Sequence, residues 1–80
     1  MERNEIIQKT VSLVASVFKE DLRKLTLETE IGQLKHFDSL EQLNLFLKIE
    51  QEFKTNFDMQ DLIRMKTVKD IVDGIAARKI

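Results

Sequence analysis

The sequence predicts an all-α fold, a small four-helix bundle of three longer helices and one short one, with a long loop between helices 1 and 2. Three observations point there. Proline is absent and glycine occurs only twice in 80 residues, which disfavours a turn-rich β architecture. Apolar residues recur at helical spacing in separate segments. Aspartate or threonine stands where each later helix would open, as capping requires.

The first helix is expected from about Asn4 to Phe18. Ile7, Val11, Val14 and Phe18 follow one another at helical intervals, and Ile6, Leu13 and Val17 widen the stripe. From about Lys19 to Phe37 the period is lost. Leu22, Leu25, Leu27, Ile31 and Leu34 recur without a common face, so a long loop is expected whose apolar residues tuck back onto the core. Loops of this length are unusual in small domains and tend to be functional. The second helix should open at Asp38, where Asp38-Ser39-Leu40-Glu41 has a capping-box-like pattern, and run to about Phe53. Thr55-Asn56 reads as a break. Asp58 then caps a short helix from Met59 to about Arg64, and Thr67-Val68-Lys69-Asp70 starts the last one. Val68, Ile71, Val72 and Ile75 form its apolar stripe, and Gly74 inside that stripe is expected to permit close packing.

Length and composition bound the function. Residues 1–80 suffice for one domain, and 42% apolar with 34% charged residues gives it a core and a hydrophilic exterior. No cysteine is present, which removes disulfides, thiolate metal sites and cysteine nucleophiles; a single histidine removes a histidine-cluster metal site. The charged start, Met1-Glu2-Arg3-Asn4-Glu5, lacks a signal-peptide core, and no apolar run reaches membrane-spanning length. A cytoplasmic monomer without membrane or nucleic-acid partners is expected. Net charge is −1 but unevenly spread: Ser39 to Asp61 holds five acids against two bases, Leu62 to Ile80 five bases against two acids. A basic partner would find a local acidic surface.

The second helix carries two apolar faces. Leu45, Phe46, Ile49 and Phe53 form the natural core stripe. Leu40, Leu43 and Leu47 cluster on another side, about 140° away on the helical wheel. A surface helix needs one buried stripe only. The second, starting beside Ser39, is expected to dock partners or contact cargo, with cover by neighbouring loops an equal alternative for Leu43.

These residues carry a resemblance. Phe37-Asp38-Ser39-Leu40 resembles the aromatic-Asp-Ser-Leu signature of the acyl and peptidyl carrier proteins, the phosphopantetheine-binding family. Leu25-Thr26-Leu27-Glu28-Thr29-Glu30-Ile31 resembles that family's approach to its second helix. Glu50-Gln51-Glu52-Phe53 is similar to the end of that helix, and Met65-Lys66-Thr67-Val68 to the entry into the last. The landmarks come in order over nearly the whole chain. There are departures: His36 stands where Gly is frequent, the loop is a residue longer than in housekeeping fatty-acid carriers, and the chain is less acidic than they are.

The resemblance implies that a separate, Mg²⁺-supplying phosphopantetheinyl transferase moves 4′-phosphopantetheine from coenzyme A to the Ser39 hydroxyl. Acyl or aminoacyl cargo then rides as a thioester on the arm's thiol. The chain would be a carrier and not an enzyme, presenting cargo to ligases, synthases or transferases of a specialised lipid, polyketide or related pathway. Asp38 would cap the helix and help orient the transferase or its metal ion. Leu40 would pack at the base of the arm. Glu41, Leu43, Leu47 and Glu52 would meet partners, a solvated surface being an equal alternative for Glu52. A fatty chain would fold back among Val14, Phe46, Ile49 and Ile71. The rival readings are an unmodified interaction module docking through Leu40, Leu43 and Leu47, a hydrolase built on Ser39, His36 and Asp38, and a helix-turn-helix DNA binder. The hydrolase fails because residues so close in sequence rarely form an aligned relay. The DNA binder fails because Asp70 and Asp73 sit on the candidate recognition helix.

Overall fold

The computed structural model describes residues 2–78. Its helices are α1 (Arg3–Phe18), α2 (Ser39–Phe53), α3 (Met59–Arg64) and α4 (Val68–Arg78). α1 packs against both α2 and α4. The α2 stripe of Leu45, Phe46, Ile49 and Phe53 and the α4 stripe of Val68, Ile71, Val72 and Ile75 are buried as their spacing requires. On α1 the centre of the buried stripe is turned slightly from the expected one. Ile6, Thr10, Val14, Val17 and Phe18 are buried, while Ile7, Val11 and Leu13 lie half-buried on its flanks.

Caps set the helix boundaries. Asp38 accepts a hydrogen bond from the Leu40 N–H at 2.7 Å. Asp58 and Asp61 form a reciprocal capping box on α3, Asp61 N–H to Asp58 at 2.9 Å and Asp58 N–H to Asp61 at 3.0 Å. Thr67 and Asp70 do the same for α4: the Asp70 N–H reaches the Thr67 hydroxyl, and the Asp70 carboxylate takes the Thr67 and Lys66 N–H groups at 3.1 and 3.0 Å. α1 and α2 both end on a lysine in the left-handed region, Lys19 (φ 55) and Lys54 (φ 53), with the next N–H closing onto Ala15 and Glu50 carbonyls.

The connection between α1 and α2 differs from the expected irregular loop. It contains two 3₁₀ turns, Leu22–Lys24 and Ile31–Gln33. The second is stitched to the α3–α4 junction: Ile31 N–H to Lys66 O at 2.8 Å, Val68 N–H to Thr29 O at 3.0 Å and Lys69 N–H to Leu27 O at 2.8 Å. Leu25 and Ile31 are buried, and Leu27 and Leu34 pack partly against the core. Leu22 is the exception: it sits on the exposed 3₁₀ turn and stays half exposed. Gly74 admits the Met65 side chain, whose methyl would overlap any Cβ at that position.

Candidate functional site

The start of α2 is anchored from below and open above. Phe37 stacks on Phe18 of α1, ring centroids 6.1 Å apart, and so fixes the approach to the helix to the core. Asp38 turns the chain and caps it. Ser39 follows as the first helical residue, exposed to solvent, and its hydroxyl makes no hydrogen bond among the described residues. The first-turn N–H groups and the helix dipole give this end partial positive charge, which favours an anion attached there.

Ser39 stands on the rim of an open groove of about 550 Å³ between α2, α3 and the second 3₁₀ turn. Its walls are mainly apolar, with Ile31, Leu43, Leu62, Ile63 and Met65 among them, and Gln42 and Lys66 add polar edges. The residues expected around a fatty chain do not line this groove. Val14, Phe46, Ile49 and Ile71 are packed in the core at 3% exposure or less, and the groove lies one layer outward.

The second face of α2 remains uncovered: Leu40 is 74%, Leu43 49% and Leu47 58% exposed. Leu43, for which loop cover was the alternative, borders the groove. The structure adds two residues that sequence reasoning missed, Met59 and Ile63 on α3, at 68% and 69% exposure and both facing the groove. Their spacing of four was the available signal, but six residues are too few to reveal a face by periodicity.

The acids of this region are largely engaged within the chain. Glu50 accepts the Phe57 N–H at 2.8 Å. Glu52 pairs with Lys9 of α1 at 3.3 Å, about 20 Å along the helix axis from Ser39. The Asp61 carboxyl is held below the ordinary aspartate range by the Asp58 backbone N–H first, against some burial, with Arg78 adding to the effect. Glu41 has, among the described residues, only a long 3.4 Å contact from the Asn44 amide. The expected basic-partner surface thus keeps Glu41 near Ser39, while Glu52 lies apart from it. The hydrolase reading gains no support, since the Asp38 carboxylate is occupied with its cap and no hydrogen bond joins His36 to Ser39 among the described residues. No group of three metal-binding side chains occurs among the described residues, and no helix there is long and apolar enough to cross a membrane.

Comparison with known proteins bears on this site. Residues 8–75 match the family described as "Phosphopantetheine attachment site". The acyl carrier protein of Coprothermobacter proteolyticus is 33% identical over 75 residues, covering 94% of this chain and 92% of that protein. That of Thermotoga maritima is 33% identical over 73 residues, covering 91% and 90%. Among solved structures, the acyl carrier protein from Enterococcus faecalis superposes with a TM-score of 0.82 at 27% identity, over 98% of this chain and 99% of that one.

Proposed function

Since the chain belongs to the acyl carrier protein family, we propose that Ser39 is the residue that bears its covalent 4′-phosphopantetheine. Members are carriers and not catalysts, and their partners are a phosphopantetheinyl transferase and biosynthetic enzymes. The attached arm supplies the thiol on which an acyl group is held as a thioester. One observation carries the assignment to Ser39. The chain has three serines, and Ser12 and Ser16 lie inside α1, where the backbone is locked in regular hydrogen bonds. Ser39 alone stands at a helix opening, exposed, with an unengaged hydroxyl on the rim of an apolar groove.

The remaining roles follow from that position. Asp38 holds the first turn in shape and so presents the hydroxyl. Leu40 flanks the base of the arm. The groove receives an acyl chain against Leu43, Leu62 and Ile63. Partner enzymes that reach the arm meet Leu40, Leu43 and Leu47, joined by Met59 and Ile63, with Glu41 as the available acid. Glu52, already paired with Lys9, contributes less. The partners are ligases, synthases or acyltransferases of a specialised lipid or polyketide pathway in the cytoplasm, and residues 1–80 act as one carrier domain.

The test is incubation with coenzyme A and a broad-specificity phosphopantetheinyl transferase, followed by peptide mass spectrometry. The wild type should gain the arm on the peptide containing Ser39, and Ser39→Ala should fold normally and gain nothing. Modification of Ser39→Ala at another residue would overturn the assignment.

A further inference from the structure

α3 forms one wall of the groove, yet it buries none of its own residues. Among its residues only Leu62 packs against the core, and that only partly, so hydrophobic burial within the helix supplies a small share of its hold. The rest of its attachment comes from its two ends, and both lead to α4. At the C-terminal end, Met65 is buried in the space left by Gly74. At the N-terminal end, a single side chain, Arg78, makes four contacts. Its Nε donates to the Asn56 carbonyl at 3.0 Å and its Nη1 to the Gly74 carbonyl at 2.9 Å. Its Nη2 donates to Asp61, the capping-box residue of α3. Its guanidinium lies over the Phe57 ring, 4.7 Å from the centroid, and Phe57 packs edge-on against Phe46 of the core at 5.6 Å. The planar fork of arginine reaches all of these at once, which an ammonium cannot do.

We propose that Arg78 is a positioning residue for the cargo: it latches α3 shut as the outer wall of the groove beside Ser39, and α3 swings about the Met65–Gly74 contact when the latch is released. With the latch closed, an acyl chain in the groove and its thioester are shielded. With it open, Leu62 and Ile63 move away from Leu43 and the chain is released. The cargo part rests on the attachment of the arm at Ser39; the latch itself does not.

The test uses the full chain with Arg78→Gln, and Arg78→Lys as the second variant. On the unmodified protein, hydrogen exchange of the α3 amides should rise about tenfold in Arg78→Gln, with α1 amides unchanged. After loading by the transferase, octanoyl and acetyl thioesters are compared for cleavage by hydroxylamine. Arg78→Gln should speed cleavage of the octanoyl thioester several-fold and leave the acetyl thioester unaffected, a difference that a general loss of stability would not produce. Should Arg78→Gln unfold throughout, Arg78→Lys is read in the same way, with a smaller rise. Unchanged α3 exchange would overturn the latch, and equal acceleration of both thioesters would overturn its role for cargo. Absence of a mass gain at Ser39 would instead overturn the attachment site, leaving the exchange result as a separate measurement.

Discussion

Replacing Asp38 separates what the side chain does for the helix from what it does for the modification. Its carboxylate takes the Leu40 N–H at 2.7 Å from an extended backbone position, φ −159 and ψ 141. Asp38→Ala leaves that donor to water and frays the turn holding Ser39, costing about 1 kcal/mol, the usual loss on removing such a cap. For a domain of this size that lowers the thermal midpoint by about 4–8 °C. Asp38→Asn keeps an oxygen in the same place, and Asn caps about as well as Asp, so its midpoint should stay within about 2 °C of the wild type. Thermal unfolding followed by circular dichroism measures both. The transferase reaction adds a second reading: arm uptake should slow in Asp38→Ala and recover in Asp38→Asn. A wild-type midpoint in Asp38→Ala would refute the cap as the holder of this turn. Failure of Asp38→Asn to take up the arm despite normal stability would show that the negative charge, and not the cap, serves the reaction.

Other expectations concern the core, acid stability and docking. Thr10 is fully buried and its hydroxyl has no partner among the described residues, so Thr10→Val should stabilise the fold by about 1–2 kcal/mol in denaturant titration; a loss would mean that the hydroxyl is bonded in solution. Burial disfavours ionisation of Asp70, but hydrogen bonds from Lys66 and Thr67 outweigh it and hold the carboxyl below its ordinary value of 3.8. Its contribution to stability is therefore full above that value and lost as pH falls through the lower folded value, so wild type and Asp70→Asn should converge in stability at low pH. Leu47→Ser should raise the transferase KM several-fold while Glu52→Gln changes it less than twofold, as expected for an apolar contact against an exposed acid already paired; the reverse order would exclude the leucine face as the main docking surface.

The caps and the α2 stripes were legible because they are local. Asp38, Asp58 and the Thr67–Asp70 pair announce helix starts by residue type, and Leu45, Phe46, Ile49 and Phe53 announce a face by spacing. The family followed from the same landmarks and agrees with the matched region, residues 8–75. What escaped the sequence was set by tertiary contact. The 3₁₀ turn at Ile31–Gln33 is pinned by hydrogen bonds across the α3–α4 junction, which no local period encodes. Thr10 reads as an outward residue by type, yet its position on α1 carries it inside. The groove beside Ser39 was not legible either, because spacing identifies which side chains turn inward but not where packing leaves room. Arg78 gave no sign at all, since its partners other than Gly74 lie at Asn56, Phe57 and Asp61, far back along the chain.

The way Met65 fills the gap over Gly74 ties the fates of two positions nine apart. An alanine at 74 would bring about 1 kcal/mol of helix propensity, but it takes the volume that the methionine methyl occupies. A shorter residue at 65 alone would leave a void; made together, the two changes compensate. The methyl is the far end of a flexible side chain that can swing aside, so each site tolerates change alone at modest cost. A double-mutant cycle on Gly74→Ala and Met65→Val should therefore show a modest non-additivity, the pair being milder than the sum of the singles, and that coupling biases which substitutions accompany one another at the two sites.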